Sequence, residues 1–156
     1  MIEIEWLTED EQRVYRAFSA MSRELFNHFD CDLKADVGIP RTYYELLFVL
    51  GSAPEGGMRL TELAHATRSN PSRITYAVAR LERDGLLRRT ASATDGRAWH
   101  AELTEAGAAT LQAAARRHAR SVREYLLDEL GERQREELRR ISTKVLARIE
   151  RIERID

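Results

Sequence analysis

The stretch SNPSRITYAVARLERDGLLRR, residues 69–89, decides how the chain is read. Asn70 is suited to capping a helix, and Pro71 to opening its first turn, where a missing N–H is no loss. The helix runs to Asp84, where Gly85 supplies a left-handed stop. At about 100° per residue, Ile74, Ala77, Val78 and Leu81 gather on one side as an apolar face. Ser72, Arg73, Tyr76, Ala79, Arg80 and Arg83 gather on the other, which carries no long acidic residue. A helix entering a DNA major groove passes between two rows of phosphates, where an exposed glutamate is repelled. Small residues such as Ser72 and Ala79 allow close approach. Arg73 and Arg80 can pair with phosphates or guanine edges. Tyr76 and the hydroxyls of Ser69, Ser72 and Thr75 can position the helix on the DNA backbone. The helix N-terminus, at Asn70 and Pro71, adds free amides and a positive dipole end. Taken alone, this could also be a solvated surface helix whose arginines mean nothing specific.

The neighbouring segment weakens that plainer reading. Residues 86–90 and 98–103 are short candidate strands around the turn-rich ASATDGR, with Trp99, Ala101 and Leu103 on the face expected to be buried. Asp95-Gly96-Arg97 then sits at the tip or descending side of a basic hairpin. Arginine there fits a narrow, electronegative minor groove, and Asp95 can fix the side chain. D-G-R alone is only a turn; helix and hairpin together are far more specific.

Working outward, Thr8-Glu9-Asp10-Glu11 matches a capping box. Val14, Phe18, Met21, Leu25 and Phe29 then mark one face of a helix over residues 8–30. DLKADVGIP is expected to break it, and Pro40 to open a second helix with Tyr43, Leu46, Leu47 and Leu50 buried. GSAPEGG ends that helix, and Thr61 is the expected cap of a short third one. Thr104 caps a long helix over residues 105–129, Gly131 breaks it, and a last helix covers residues 132–155. The expected fold is mainly α with a small β-hairpin wing (α+β): a winged helix-turn-helix over residues 36–107, with residues 1–35 and 108–156 forming a helical dimerisation region. The flanking helices carry apolar stripes longer than a small winged domain can cover, which favours a homodimer over packing within one chain.

The 156 residues suit one domain, or one with an extension, and the 33% charged content suits long solvated helices. The net charge of −1 does not advertise nucleic-acid binding, but its distribution does. Residues 68–97 hold seven arginines against three acids, net +4, whereas residues 1–40 hold nine acids against four bases, net −5. One cysteine, Cys31, excludes an intrachain disulfide, and with no apolar run near the roughly 18 residues of a membrane span a cytoplasmic location is expected. Adjacent Asp30 and Asp32 blunt the reactivity of Cys31, so a plain structural or surface role is favoured over redox sensing. His28, His65, His100 and His118 show no metal-ligand spacing. GSAPEGG lacks the lysine of a phosphate-binding loop, and no catalytic constellation stands out. No metal, cofactor or enzymatic activity is expected.

Residues 60–111 resemble the multiple antibiotic resistance regulator (MarR) family of winged-helix repressors. The resemblance rests on L-T-E-L-A at 60–64, I-T at 74–75, L-E-R-D-G-L-L-R-R at 81–89, D-G-R at 95–97 and L-T-E-A-G at 103–107. The flanking helices match in order and length. The resemblance implies a homodimer held by the N- and C-terminal helices, with a recognition helix in each major groove and a wing arginine in the minor groove of double-stranded DNA. Recognition residues then fall on Ser69 to Tyr76, and the wing arginine on Arg97, held by Asp95. Gly96 departs from the arginine many members carry there. Pro71-Ser72-Arg73 departs at the start of the recognition helix and implies a different operator. The resemblance also implies a small aromatic or phenolic effector in the crevice between the dimer helices and the winged domain; Trp6, Tyr15, Phe18, His28 and Tyr44 lie toward it, with none singled out. The function expected is a ligand-responsive repressor on a pseudo-palindromic operator. The alternative is a dimeric helical adaptor whose winged domain binds a protein.

Overall fold

The first helix, α1 (Glu9–Val37), starts as its sequence prescribes: Thr8 and Glu11 form a capping box, with the Thr8 N–H donating to Glu11 Oε2 at 2.8 Å. The structure, a computed structural model, describes residues 6–53, 57–91 and 99–153. It divides into two units, Met1–Ala119 and Arg120–Asp156.

Within the first unit, α1 continues seven residues past its expected end and stops at Gly38, which is left-handed with φ 80°. DLKADV contains no breaker, Leu33 is fully buried, and Arg117 is gripped by Asp32 and Asp36, each at 2.7 Å. Cys31 therefore lies inside the helix, exposed on its surface, and not beyond its end. Helix α2 (Arg41–Gly51) has Pro40 as its N-cap and not in its first turn. It buries Tyr44, Leu46, Leu47 and Leu50, leaving Tyr43 half-buried.

A two-residue strand, β1 (Met58–Arg59), leads into α3 (Leu60–Ala66). The N-cap of α3 is Arg59, not Thr61, and Glu62 accepts from its N–H at 3.2 Å. The turn to α4 (Pro71–Arg83) completes the helix-turn-helix. Strands β2 (Leu87–Ala91) and β3 (Trp99–Leu103) pair antiparallel with Leu87 opposite Leu103 and Ala91 opposite Trp99. β1 adds to the other side of β3, with Met58 opposite Ala101, so the expected hairpin is a three-stranded sheet of order β1-β3-β2. A two-residue strand carries no periodicity of its own; its pairing with β3 defines it. Ala101 is buried as the alternation required, but Trp99 is exposed, with the Arg89 guanidinium 5.7 Å from its ring centroid.

Leu33, Leu47, Leu63, Val78 and Leu81 form the fully buried centre of the core, joined by Leu87 and Ala101 from the sheet and Ala114 from α5 (Glu105–Val122). Thr104 caps α5 as expected: its hydroxyl accepts from the Gly107 N–H at 3.0 Å and donates to the Gly85 carbonyl at 2.6 Å. The cap thus ties the end of α4 to the start of α5.

In the second unit the continuous helix expected to residue 129 gives way to a π-helical turn, Arg123–Leu127, whose last carbonyl accepts from Arg135 at 3.1 Å. Gly131 then precedes α6 (Glu132–Glu153). Ile141, Val145, Leu146, Ile149 and Ile152 stand exposed along α6. Among the described residues, no helix is long and apolar enough to cross a membrane.

Candidate nucleic-acid interface

Helix α4 forms where its capping chemistry puts it. The Asn70 carboxamide accepts from the Ser72 N–H at 2.9 Å, and Pro71 occupies the first turn. Ile74, Ala77, Val78 and Leu81 are buried, so the opposite face is held outward. On it Ser72, Arg73, Thr75, Tyr76, Arg80 and Arg83 are exposed, Tyr76 to 72%. The first turn contains no acidic residue, which leaves the positive end of the helix dipole uncompensated.

The side chains on this face differ in how far they are already engaged. Thr75 Oγ1 donates to the Pro71 carbonyl at 3.0 Å, Ser69 Oγ to the Thr67 carbonyl at 3.2 Å and Ser72 Oγ to Asn70 Oδ1 at 2.5 Å. Each of these hydroxyl oxygens keeps acceptor lone pairs. Arg80 is tied to Asp84 at 3.2 Å, an ion pair that offsets part of its charge. Arg73 and Arg83 make no ion pair among the described residues, and Arg73 stands nearest the helix N-terminus.

The opposite side of the helix is braced. Arg89 on β2 meets Glu82 on α4 at 2.6 Å, and its hydrogen bond holds the Glu82 carboxyl below the usual carboxylate range. Arg88 pairs with Glu102 across the β2–β3 ladder. The first contact fixes the sheet to α4, the second ties two of its strands together, and both use basic residues of the central patch structurally. Asp95 and Arg97, the expected wing-tip pair, lie outside the described residues.

The structure also brings in groups that sequence reasoning did not single out for the site. Thr42 and Tyr43 of α2 line a cavity of about 400 Å³ with Ser69, Ser72, Arg73 and Tyr76. Two helix N-termini without first-turn acids, those of α2 and α4, therefore border one groove. The absence of acids beside Pro40 was the available signal. Farther from this groove, His118 of α5 packs between Phe29 and Tyr44, with ring centroids at 5.1 and 4.9 Å. Burial, with the nearby Arg41 charge, holds the imidazole below its ordinary pKa. Of the aromatic residues expected near an effector crevice, Tyr44 is buried against this histidine, whereas Trp6, Tyr15, Phe18 and His28 are exposed.

A MarR family model matches residues 37–98. Sco3205, a MarR family transcriptional regulator from Streptomyces coelicolor solved in complex with DNA, is 37% identical and superposes with a TM-score of 0.87 over 94% of this chain and 91% of its own. AbsC, another MarR family regulator from Streptomyces coelicolor, is 31% identical, with a TM-score of 0.87 over 94% of this chain and 99% of its own. PcaV from Streptomyces coelicolor, solved with its natural ligand, shares the fold at 21% identity and a TM-score of 0.70, covering 94% of this chain and 98% of its own. No curated protein matches the chain. With its order of helices and strands kept and more than 30% identity to two such regulators along nearly its whole length, the chain belongs to the MarR family of winged-helix transcriptional regulators.

Proposed function

We propose that this regulator binds double-stranded DNA as a homodimer, reads a near-palindromic operator with α4, and represses transcription until a small ligand shifts its conformation. The observation that carries the reading is the exposed, acid-free face of α4, with Arg73 at its leading end. Ser69, Asn70, Pro71, Ser72, Arg73, Thr75, Tyr76 and Arg80 form the major-groove surface in this reading, and Arg97, held by Asp95, reaches the minor groove. Residues 36–107 serve DNA binding, and residues 1–35 and 108–156 serve dimerisation. The exposed apolar stripes support the second assignment: Val14, Phe18 and Met21 on α1, and Ile141, Val145, Ile149 and Ile152 on α6. A twofold dimer sets its two recognition helices about one DNA turn apart, roughly 34–36 Å, which is why the operator is a near-palindrome.

An aromatic or phenolic effector acts by binding unequally to the DNA-competent and DNA-incompetent forms. The solved complex of PcaV with its natural ligand supports such a site in this fold. The ring pair Tyr44 and His118, with centroids 4.9 Å apart, offers an aromatic wall of the right chemistry.

The test is fluorescence anisotropy of the purified protein on its own upstream intergenic DNA across a salt series, with a scrambled duplex as control. Tight binding that prefers the upstream fragment and falls steeply with salt is expected, because each neutralised phosphate releases counterions. A weak, salt-insensitive interaction with both duplexes would favour a protein partner on the Tyr76 face.

A further inference from the structure

Helices α3 and α4 end in the same way. At the end of α3 the Arg68 N–H donates to the His65 carbonyl at 3.1 Å and the Ser69 N–H to the Ala64 carbonyl at 2.9 Å. At the end of α4 the Gly85 N–H donates to the Glu82 carbonyl at 3.0 Å and the Leu86 N–H to the Leu81 carbonyl at 2.9 Å. Each pair of bonds is a Schellman motif, and the motif needs a left-handed residue one position past the C-cap. Gly85 fills that position with φ 74° and Arg68 with φ 49°. Among the described residues, Arg68 is the only non-glycine residue with positive φ.

Glycine is favoured there because a Cβ crowds the following carbonyl in left-handed backbone. The chain obeys that preference elsewhere. Gly38 ends α1 and Gly85 ends α4, and a Cβ added at either would meet nothing within 4 Å. Those positions have room for a side chain, so their glycines answer to backbone conformation alone. At position 68 the same conformation is held by a long cationic residue. Of the three left-handed helix ends among the described residues, this is the one that opens into the recognition helix, two residues before its cap Asn70. Left-handed strain in non-glycine residues concentrates where the side chain has work to perform. Arg68 is exposed, and the groove lined by Thr67, Ser69, Ser72 and Arg73 begins at the adjacent residues.

We propose that Arg68 is a DNA-backbone contact, its guanidinium engaging a phosphate at the edge of the major groove entered by α4 and so setting the helix register. This rests on the DNA-binding reading above. Phosphate contacts position a protein without reading sequence, so Arg68 strengthens specific and non-specific binding alike.

The experiment compares the full-length wild type with Arg68→Gly and Arg68→Lys, by thermal unfolding and by anisotropy on the upstream fragment and a scrambled duplex across a salt series. Arg68→Gly is expected to stay folded, because glycine adopts the left-handed backbone without strain. It should nonetheless bind both duplexes about tenfold more weakly, and its salt slope should fall by about 0.9 for each phosphate no longer neutralised. Arg68→Lys should keep the wild-type salt slope, since an ammonium still meets the phosphate. Wild-type affinity and slope in Arg68→Gly would overturn the proposal while leaving DNA binding intact. So would a binding defect of equal size in Arg68→Lys accompanied by a lower unfolding temperature in both variants, which marks a structural role. Absence of salt-dependent DNA binding in the wild type would overturn the DNA reading, and this assignment with it.

Discussion

Gly107 stands where the start of α5 crosses the end of α4, and replacing it with alanine is a demanding test of how the winged unit is held together. A Cβ at this position would lie 1.9 Å from the Leu86 carbonyl oxygen and 3.0 Å from its carbon. Ordinary contact begins near 3.4 Å, so one backbone must retreat by more than an ångström. Neither is free to do so. The Leu86 carbonyl accepts from the Thr104 N–H at 3.1 Å, and the Leu86 N–H donates to Leu81 at 2.9 Å. Thr104 in turn bonds both Gly85 and Gly107. Overpacking against a fixed backbone costs about 1–3 kcal/mol, and losing the hydrogen-bond partner of the Leu86 carbonyl a further ~1–3 kcal/mol. Alanine recovers about 1 kcal/mol of helix propensity over glycine. The net destabilisation is about 3 kcal/mol, which for a chain of this length lowers the unfolding midpoint by roughly 6–12 °C. Differential scanning calorimetry of Gly107→Ala measures it. A midpoint within a degree of wild type, or above it, would show that the α4–α5 junction yields easily and that its backbone is not rigid.

Three other perturbations probe the site and its supports. Arg73→Ala should lose affinity for the operator while retaining most binding to scrambled DNA, because a bidentate arginine–guanine pair contributes about 1–3 kcal/mol of discrimination; equal loss on both duplexes would make Arg73 a phosphate contact. Below about pH 6.5 the unfolded chain protonates His118 while the folded chain, whose His118 pKa is lowered by burial, resists it. Stability from this residue is therefore fully present above pH 6.5 and declines as the pH falls, so wild type should lose more melting temperature between pH 7.5 and 5.5 than His118→Phe does; parallel losses would refute the linkage. Val145→Asp combined with Ile149→Asp puts charge on the exposed stripe of α6. Light scattering should then report a monomer with weakened operator binding, and an unchanged dimer would place the interface elsewhere.

The parts of the fold that were legible in the sequence are those decided locally. Thr8, Asn70 and Thr104 cap helices because their side chains reach amides two or three residues away. Gly85 stops α4 because its conformation needs no distant partner. Where distant contacts decide, the sequence was silent or misleading. α1 runs on to Val37 because Leu33 finds a buried slot and Asp32 and Asp36 find Arg117, which lies some eighty residues later. β1 exists only as a complement to β3. At the site, the exposed face of α4 followed from the helical period alone, since burying Ile74, Val78 and Leu81 turns Arg73 and Tyr76 outward. Arg68 could not be singled out by type, being one of seven arginines in the patch. What marks it is a backbone angle, and the faint signal in the sequence is a helix that ends in A-T-R-S-N with no glycine.

The chain's 25 basic and 26 acidic residues conceal the interface because they count charges without their partners. Much of the basic inventory is spoken for. Arg139 and Arg140 pair with Glu136 and Glu137 on α6, Arg117 with two aspartates, Arg41 with Glu45, Arg88 with Glu102, and Arg89 with Glu82. Paired guanidiniums contribute little to the field at a distance, since each carries its own counter-charge. On the outward face of α4, Arg80 is offset by Asp84, whereas Arg73 and Arg83 have no such carboxylate among the described residues. In the proposed DNA-binding reading, those cations and the uncompensated N-terminus of α4 would meet phosphates and release the counterions condensed on the DNA. The property that suits this surface to the proposed DNA binding is therefore not an excess of arginine. It is the absence of carboxylates from the outward face of the first turns of α4, a helix whose core-facing side is otherwise ordinary.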